Sequence, residues 1–163
     1  MQNDLVAPFG FRPKAYEYKV IALKEAVGYD AQITCDSPDK AYDYWRKSVV
    51  THPYFNPEVE CFVVFMLNTR RRIKGHYLVA TGTMDTLLVH PREVFRLAII
   101  ASAASIIVGH NHPSGDAMPS EADIKVTRDL IRAGQLLKIE VCDHIIMGNP
   151  TNVSLREMGY FTL

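Results

Sequence analysis

Two histidines two residues apart, His110 and His112, close a short apolar run, and Ser120-Glu121-Ala122-Asp123 follows after a loop. Residues two apart on an extended chain point to the same side. If residues 105–112 run straight, both imidazoles project together. Zinc takes imidazole nitrogens at about 2.0–2.1 Å in such an arrangement. Pro113, Ser114 and Gly115 turn the chain, and a helix starting at Ser120 brings Asp123 back as a third ligand. Three protein ligands leave the fourth tetrahedral position to water, the pattern of a catalytic zinc rather than a structural one. One zinc ion per chain is the expectation.

Hydrolysis at such a centre needs a group that takes a proton from water and hands it to the leaving amine. A carboxylate that does not bind the metal suits this task. Glu60, at the head of the apolar run ECFVVFML, is the candidate general acid/base. A developing oxyanion also needs a donor, and the Ser120 hydroxyl is placed to serve. Other assignments stay open on spacing alone. Asp116 is nearer the histidines than Asp123, and Glu58 is as acidic as Glu60. Ser120-x-x-Asp123 also reads as a helix N-terminus, with Ser as cap and an acid in the first turn.

The elements that must hold these residues can be read in outline. Glu17–Ala26 alternates polar and apolar residues as a strand does. Asp36-Ser37-Pro38 opens a helix that buries Ala41, Tyr44, Trp45 and Val49. Glu60–Leu67 is a strand apolar on both faces, and His76–Thr81 returns beside it as an antiparallel partner. Pro91 begins a helix over PREVFRLAIIASAA, and Ser105–Val108 is a short buried strand. A loop over 109–119 leads to the helix that ends near Leu137. Glu140–Met147 and Val153–Arg156 close the sheet. Alternating strands and helices without repeats predict one α/β (α+β) domain with a mixed β-sheet flanked by helices, over residues 16–163. Residues 1–15, with Pro8, Gly10 and Pro13, form an N-terminal arm.

The 163 residues carry 18 Lys plus Arg against 18 Asp plus Glu, so no global charge advertises a nucleic acid or an anionic membrane. Cys35, Cys61 and Cys142 are scattered, which argues for free thiols in a reducing compartment. The N-terminus lacks the apolar core of a signal peptide. No apolar stretch approaches the ~20 residues of a membrane span. A soluble, cytoplasmic protein with no membrane partner is expected.

The string GHNHPSGDAMPSEAD resembles the JAMM metal motif of the JAB/MPN superfamily, His-x-His-Pro followed by Ser-x-x-Asp. LVHPREVFRLAIIASAASIIVGHNHPSGD, VCDHIIMG and VSLREMGY resemble its RadC-like branch, and the likeness runs from about Tyr18 to the C-terminus. The resemblance implies a cytidine-deaminase-like fold. It implies His110, His112 and Asp123 as zinc ligands, Glu60 as general acid/base and Ser120 as oxyanion stabiliser. It also implies a metallopeptidase or isopeptidase acting on a peptide or protein, often at the C-terminus of a ubiquitin-like protein. Long RadC proteins carry an N-terminal helix–hairpin–helix region that residues 1–50 are too short to hold, so a short form is implied. His-Asn-His as three adjacent residues is not the motif of HNH nucleases, which is spread over a longer stretch.

Two further readings compete. Arg70, Arg71, Arg72 and Lys74 form a basic turn, either solvated or in contact with nucleic acid. Lys125, Arg128 and Arg132 share a helix face that either lines a groove near the site or faces water. With the RadC likeness these residues support a DNA-associated factor or nuclease as the alternative. An inactive binding module is the third reading, and the complete metal set argues against it. His90 reads as a capping or packing residue. His144 reads as a core-edge histidine, or as support for a ligand. Strand edges and the arm suit a homodimer.

Overall fold

The structure is a computed structural model and describes residues 34–82 and 89–162. The arm at 1–15 and the strand expected at Glu17–Ala26 lie outside the described residues.

Five strands form one mixed sheet in the order β2-β1-β3-β4-β5. They are β1 (Glu60–Leu67), β2 (Ile73–Gly82), β3 (Ser105–Asn111), β4 (Glu140–Met147) and β5 (Asn152–Ser154). β1 pairs antiparallel with both β2 and β3, β3 pairs parallel with β4, and β4 pairs antiparallel with β5. Three helices flank the sheet: α1 (Pro38–Tyr44), α2 (Pro91–Ile100) and α3 (Glu121–Leu137). α3 is the crossover that a parallel pair requires.

The apolar run of β1 is explained by the layers on either side of it. Val63, Phe65 and Leu67 pack on one face with Tyr44, Trp45 and Val49. Phe62 and Val64 pack on the other with Val94, Phe95 and Leu130. A strand covered on both faces has no solvent side for polar residues. Ser37 caps α1 by accepting from the Lys40 amide at 3.4 Å, Pro38 fills the first turn, and a π-helical turn (Trp45–Val49) extends the helix.

Four boundaries differ from the reading of the sequence, and the first is that β3 runs on to Asn111 rather than ending at Val108, since residues 109–111 stay paired with β4. β2 starts at Ile73, because residues of the basic turn already join the ladder, with Leu67 opposite Ile73. α2 stops at Ile100, before a turn in which Ser102 takes φ +50°. The last strand covers Asn152–Ser154 rather than 153–156, since Ser154 Oγ accepts from the Glu157 amide and turns the chain there. His90 occupies the cap position of α2, but its side chain makes no capping hydrogen bond.

The basic turn is built into the fold. Arg71 pairs with Glu140 at 3.3 Å. Lys74 Nζ donates to the carbonyls of Ala101 and Ser102, where α2 ends, and a cation is favoured at a helix C-terminus. Lys125, Arg128 and Arg132 face solvent on α3. No helix among the described residues is long and apolar enough to cross a membrane.

Candidate metal centre

β3 alternates its side chains, so His110 falls on the face of Phe62 and lies stacked on it, ring centroids 5.8 Å apart. His112 follows on the same side, one residue past the strand, and its amide still donates to Met147 O at 3.0 Å. Asn111 points to the other side. Its Oδ1 accepts from the Cys61 amide at 2.9 Å and its Nδ2 donates to Val59 O at 2.9 Å. The middle residue of His-Asn-His therefore grips the backbone on both sides of Glu60 and sets that residue against the histidines. Spacing along the chain gave no sign of this role, because it depends on the register between β1 and β3.

The loop after His112 is held by backbone contacts. Gly115 has φ +83°, a region open to glycine. Its amide donates to His112 O at 2.9 Å and its carbonyl accepts from the Asn149 amide at 2.9 Å. Gly148 lies so close beneath the loop that a Cβ there would stand 2.5 Å from Gly115 O. Asp116, the rival ligand, turns its carboxylate to the Met118 amide at 3.0 Å, and its backbone carbonyl accepts from His112 Nδ1 at 2.6 Å. It orients His112 and stands outside the His-His-Asp group. Glu58 is exposed and does not line the site cavity.

Ser120 caps α3 in a reciprocal box: its hydroxyl accepts from the Asp123 amide at 3.2 Å, and Asp123 Oδ2 accepts from the Ser120 amide at 2.7 Å. The box presents Asp123 to both imidazoles. Nε2 of His110 lies 3.0 Å from Nε2 of His112 and 3.1 Å from Asp123 Oδ1, and His112 Nε2 lies 3.7 Å from Asp123 Oδ2. Atoms bound at 2.0–2.1 Å to one tetrahedral ion stand about 3.3 Å from each other, which these separations bracket. Among the described residues this is the one group of three or more His, Cys, Asp or Glu side chains placed to hold a metal ion.

The proton arrangement agrees. A carbonyl can only accept, so His112 carries its hydrogen on Nδ1, facing Asp116 O, and leaves Nε2 bare when neutral. One nitrogen and a carboxylate oxygen then converge as acceptors beside His110 Nε2, and such a set needs a cation or a proton between its members. Burial pushes the Asp123 carboxyl up, but hydrogen bonding to His110, His112 and Ser120 outweighs it and holds the group far below the carboxylate range. The Asp123 carboxylate raises His112 against the opposing effect of burial.

Glu60, with 7% exposure, lines the same cavity of about 500 Å³, together with Phe62, Val89, Met118, Ser120 and Asp123. Burial raises its carboxyl, and the two histidines draw it partly back. The described lining holds four carboxylates, those of Glu60, Asp116, Glu121 and Asp123, and neither lysine nor arginine. His144, read as a core-edge residue with ligand support as the alternative, is fully buried, and its Nε2 sits 2.9 Å from His110 Nδ1.

Comparison with known proteins gives the family. The chain is 49% identical over 102 residues to a UPF0758 protein of Caldanaerobacter subterraneus, covering 63% of this chain and 44% of the relative. It is 42% identical over 134 residues to one of Staphylococcus carnosus, covering 81% and 56%. A third, from Bacillus licheniformis, is 52% identical over 101 residues, covering 62% and 45%. The chain spans about half the length of these curated relatives. The profile of the RadC-like JAB domain matches residues 35–160, which take in all five strands and the whole His-His-Asp group. A mixed sheet carrying that group, and a family profile that spans it, lead to one conclusion: the chain belongs to the RadC-like JAB domain family.

Proposed function

We propose that this domain is a zinc-dependent hydrolase of amide bonds, a peptidase or isopeptidase, with His110, His112 and Asp123 as ligands and a peptide or protein as substrate. The observation that carries the reading is the convergence of two imidazole nitrogens and a carboxylate oxygen beside a buried carboxylate that makes no bond to them. Zinc held there would supply Lewis-acid chemistry, making a water more acidic and polarising a carbonyl. Glu60 is the proton carrier: its Oε atoms accept a proton from the attacking water and return it to the leaving amine. Desolvation suits it to the second half of that task, because a raised pKa favours the protonated form. Ser120 Oγ–H is the donor to the developing oxyanion. Phe62, Val89 and Val126 form an apolar wall that limits water on one side of the cavity.

The DNA-associated reading ranks below this one. A phosphodiester would have to enter a cavity walled by four carboxylates, and Arg71 and Lys74 of the basic turn are engaged within the fold.

The test is Glu60→Gln in protein loaded with zinc, assayed on a panel of peptide and isopeptide substrates. The variant should bind zinc as the parent does and lose hydrolysis. Full activity in Glu60→Gln would overturn the acid/base role. A loaded parent that cleaves DNA but no amide in the panel would overturn the substrate class.

A further inference from the structure

Thr127 lies one helical turn after Asp123, fully buried against β4. Its Oγ1 stands 2.6 Å from the Asp123 carbonyl and 2.6 Å from His144 Nδ1. A hydroxyl has one hydrogen, and a carbonyl has none to give. The hydrogen of Thr127 must lie toward Asp123 O, since otherwise two oxygen lone pairs would face each other at 2.6 Å. Toward His144 the hydroxyl can then only accept, so Nδ1 of His144 carries a hydrogen.

His144 has no exposed surface, and an imidazolium without a carboxylate bonded to it is disfavoured there. A neutral ring protonated at Nδ1 has a bare Nε2. That atom is 2.9 Å from His110 Nδ1, so His110 must donate. His110 therefore keeps its hydrogen on Nδ1 and turns a bare Nε2 toward His112 and Asp123. Reversing any one of these bonds sets two lone pairs or two hydrogens against each other elsewhere in the chain. The path also closes on itself, because it starts at the backbone of one member of the His-His-Asp group and ends at the ring of another.

We propose that Thr127 and His144 are positioning residues that order the protons across the core, fixing His110 as the Nδ1–H tautomer with Nε2 free to bind zinc. The proposal rests on the zinc reading for its purpose, but its geometry is a property of the protein alone. Partners that orient a metal-binding histidine are usually carboxylates, carbonyls or water. Here a third, neutral histidine does the work, and a helix hydroxyl dictates its tautomer.

Thr127→Val keeps the shape and removes the hydroxyl, whereas Thr127→Ser keeps the hydroxyl. Zinc affinity by chelator competition should fall about 10–100-fold in Thr127→Val, the range for loss of such a partner, and stay at the parental value in Thr127→Ser. Nitrogen-15 NMR of the metal-free parent, above the histidine titration range, should show His144 and His110 protonated at Nδ1. Parental affinity in a folded Thr127→Val overturns the proposal, and so does a His144 ring protonated at Nε2. If Thr127→Val fails to fold, the NMR of the parent still decides. A parent with the expected tautomers but no zinc affinity would defeat the zinc reading and leave the proton order standing.

Discussion

The hydroxyl of Ser120 donates to Asp123 Oδ2 at 2.6 Å, the carboxylate that also accepts from the Ser120 amide at 2.7 Å. One hydrogen therefore has two uses. To serve a developing oxyanion the hydroxyl must rotate away from Asp123, and the backbone amide remains to hold the carboxylate.

Ser120→Gly separates capping from donation. Gly in place of a Ser cap costs only a few tenths of a kcal/mol, so the unfolding midpoint in urea should stay near the parental value. Turnover should fall about 10²–10³-fold, the usual loss when one oxyanion donor is removed. Ser120→Ala should show the same kinetic loss and also lose about 1 kcal/mol of stability. Parental turnover in Ser120→Gly would reduce Ser120 to a cap.

Removal of metal should leave the domain folded. The core residues Tyr44, Phe65, Phe95, Leu130 and Ile145 are fully buried in apolar clusters, unlike a zinc finger, whose folding energy is mostly metal binding. Far-ultraviolet circular dichroism should be unchanged by a chelator and the melt should stay cooperative. Zinc at a hundred times its Kd should add about 2.7 kcal/mol. His112→Ala should fold and lack that zinc-dependent gain.

His76, on β2, bonds to the hydroxyl of Tyr44 at 2.8 Å. Burial, with His52 nearby, draws its imidazole down to about 4. The unfolded chain then binds a proton more readily than the folded one, so this contribution is whole above about pH 6.5 and is lost as pH falls toward 4. His76→Gln should flatten the drop in melting temperature between pH 7 and pH 5. An identical drop in both proteins would remove His76 from the account.

Gly148→Ala should disturb the centre from below. Its new methyl would meet Gly115 O at 2.5 Å and Thr151 O at 2.7 Å, and backbone atoms cannot rotate aside. Overpacking of this kind costs about 1–3 kcal/mol, read from urea unfolding. Zinc affinity should fall too, because Gly115 is hydrogen-bonded to the carbonyl of His112.

What the sequence made legible was local. The apolar run of β1, the Ser37-Pro38 start of α1 and the pairing of His110 with His112 follow from spacing within one strand or one helix, whereas the choice of Asp123 over Asp116 came from the likeness to the JAMM motif. The parts that were not legible depend on how strands pair. His144 pairs with Val108 while His110 pairs with Ile146, so His144 is the diagonal neighbour of His110. A register shift between Ile106 and Ile107 hides that alignment from counting. Asn111 reaches Val59 and Cys61 across the β1–β3 pair in the same way. Arg71 and Lys74 looked available because their partners, Glu140 and the end of α2, lie far along the chain.

The parallel pairing of β3 with β4 also bears on the order of assembly. A chain emerging from the ribosome N-terminus first exposes both imidazoles and the Asp123 carboxylate before β4 has been made. His144 can reach His110 only after α3 has carried the chain back across the sheet. A nascent chain thus offers an unoriented pair of histidines until β4 docks. Any metal taken by the His-His-Asp group would in this way be bound in its final geometry only after that docking.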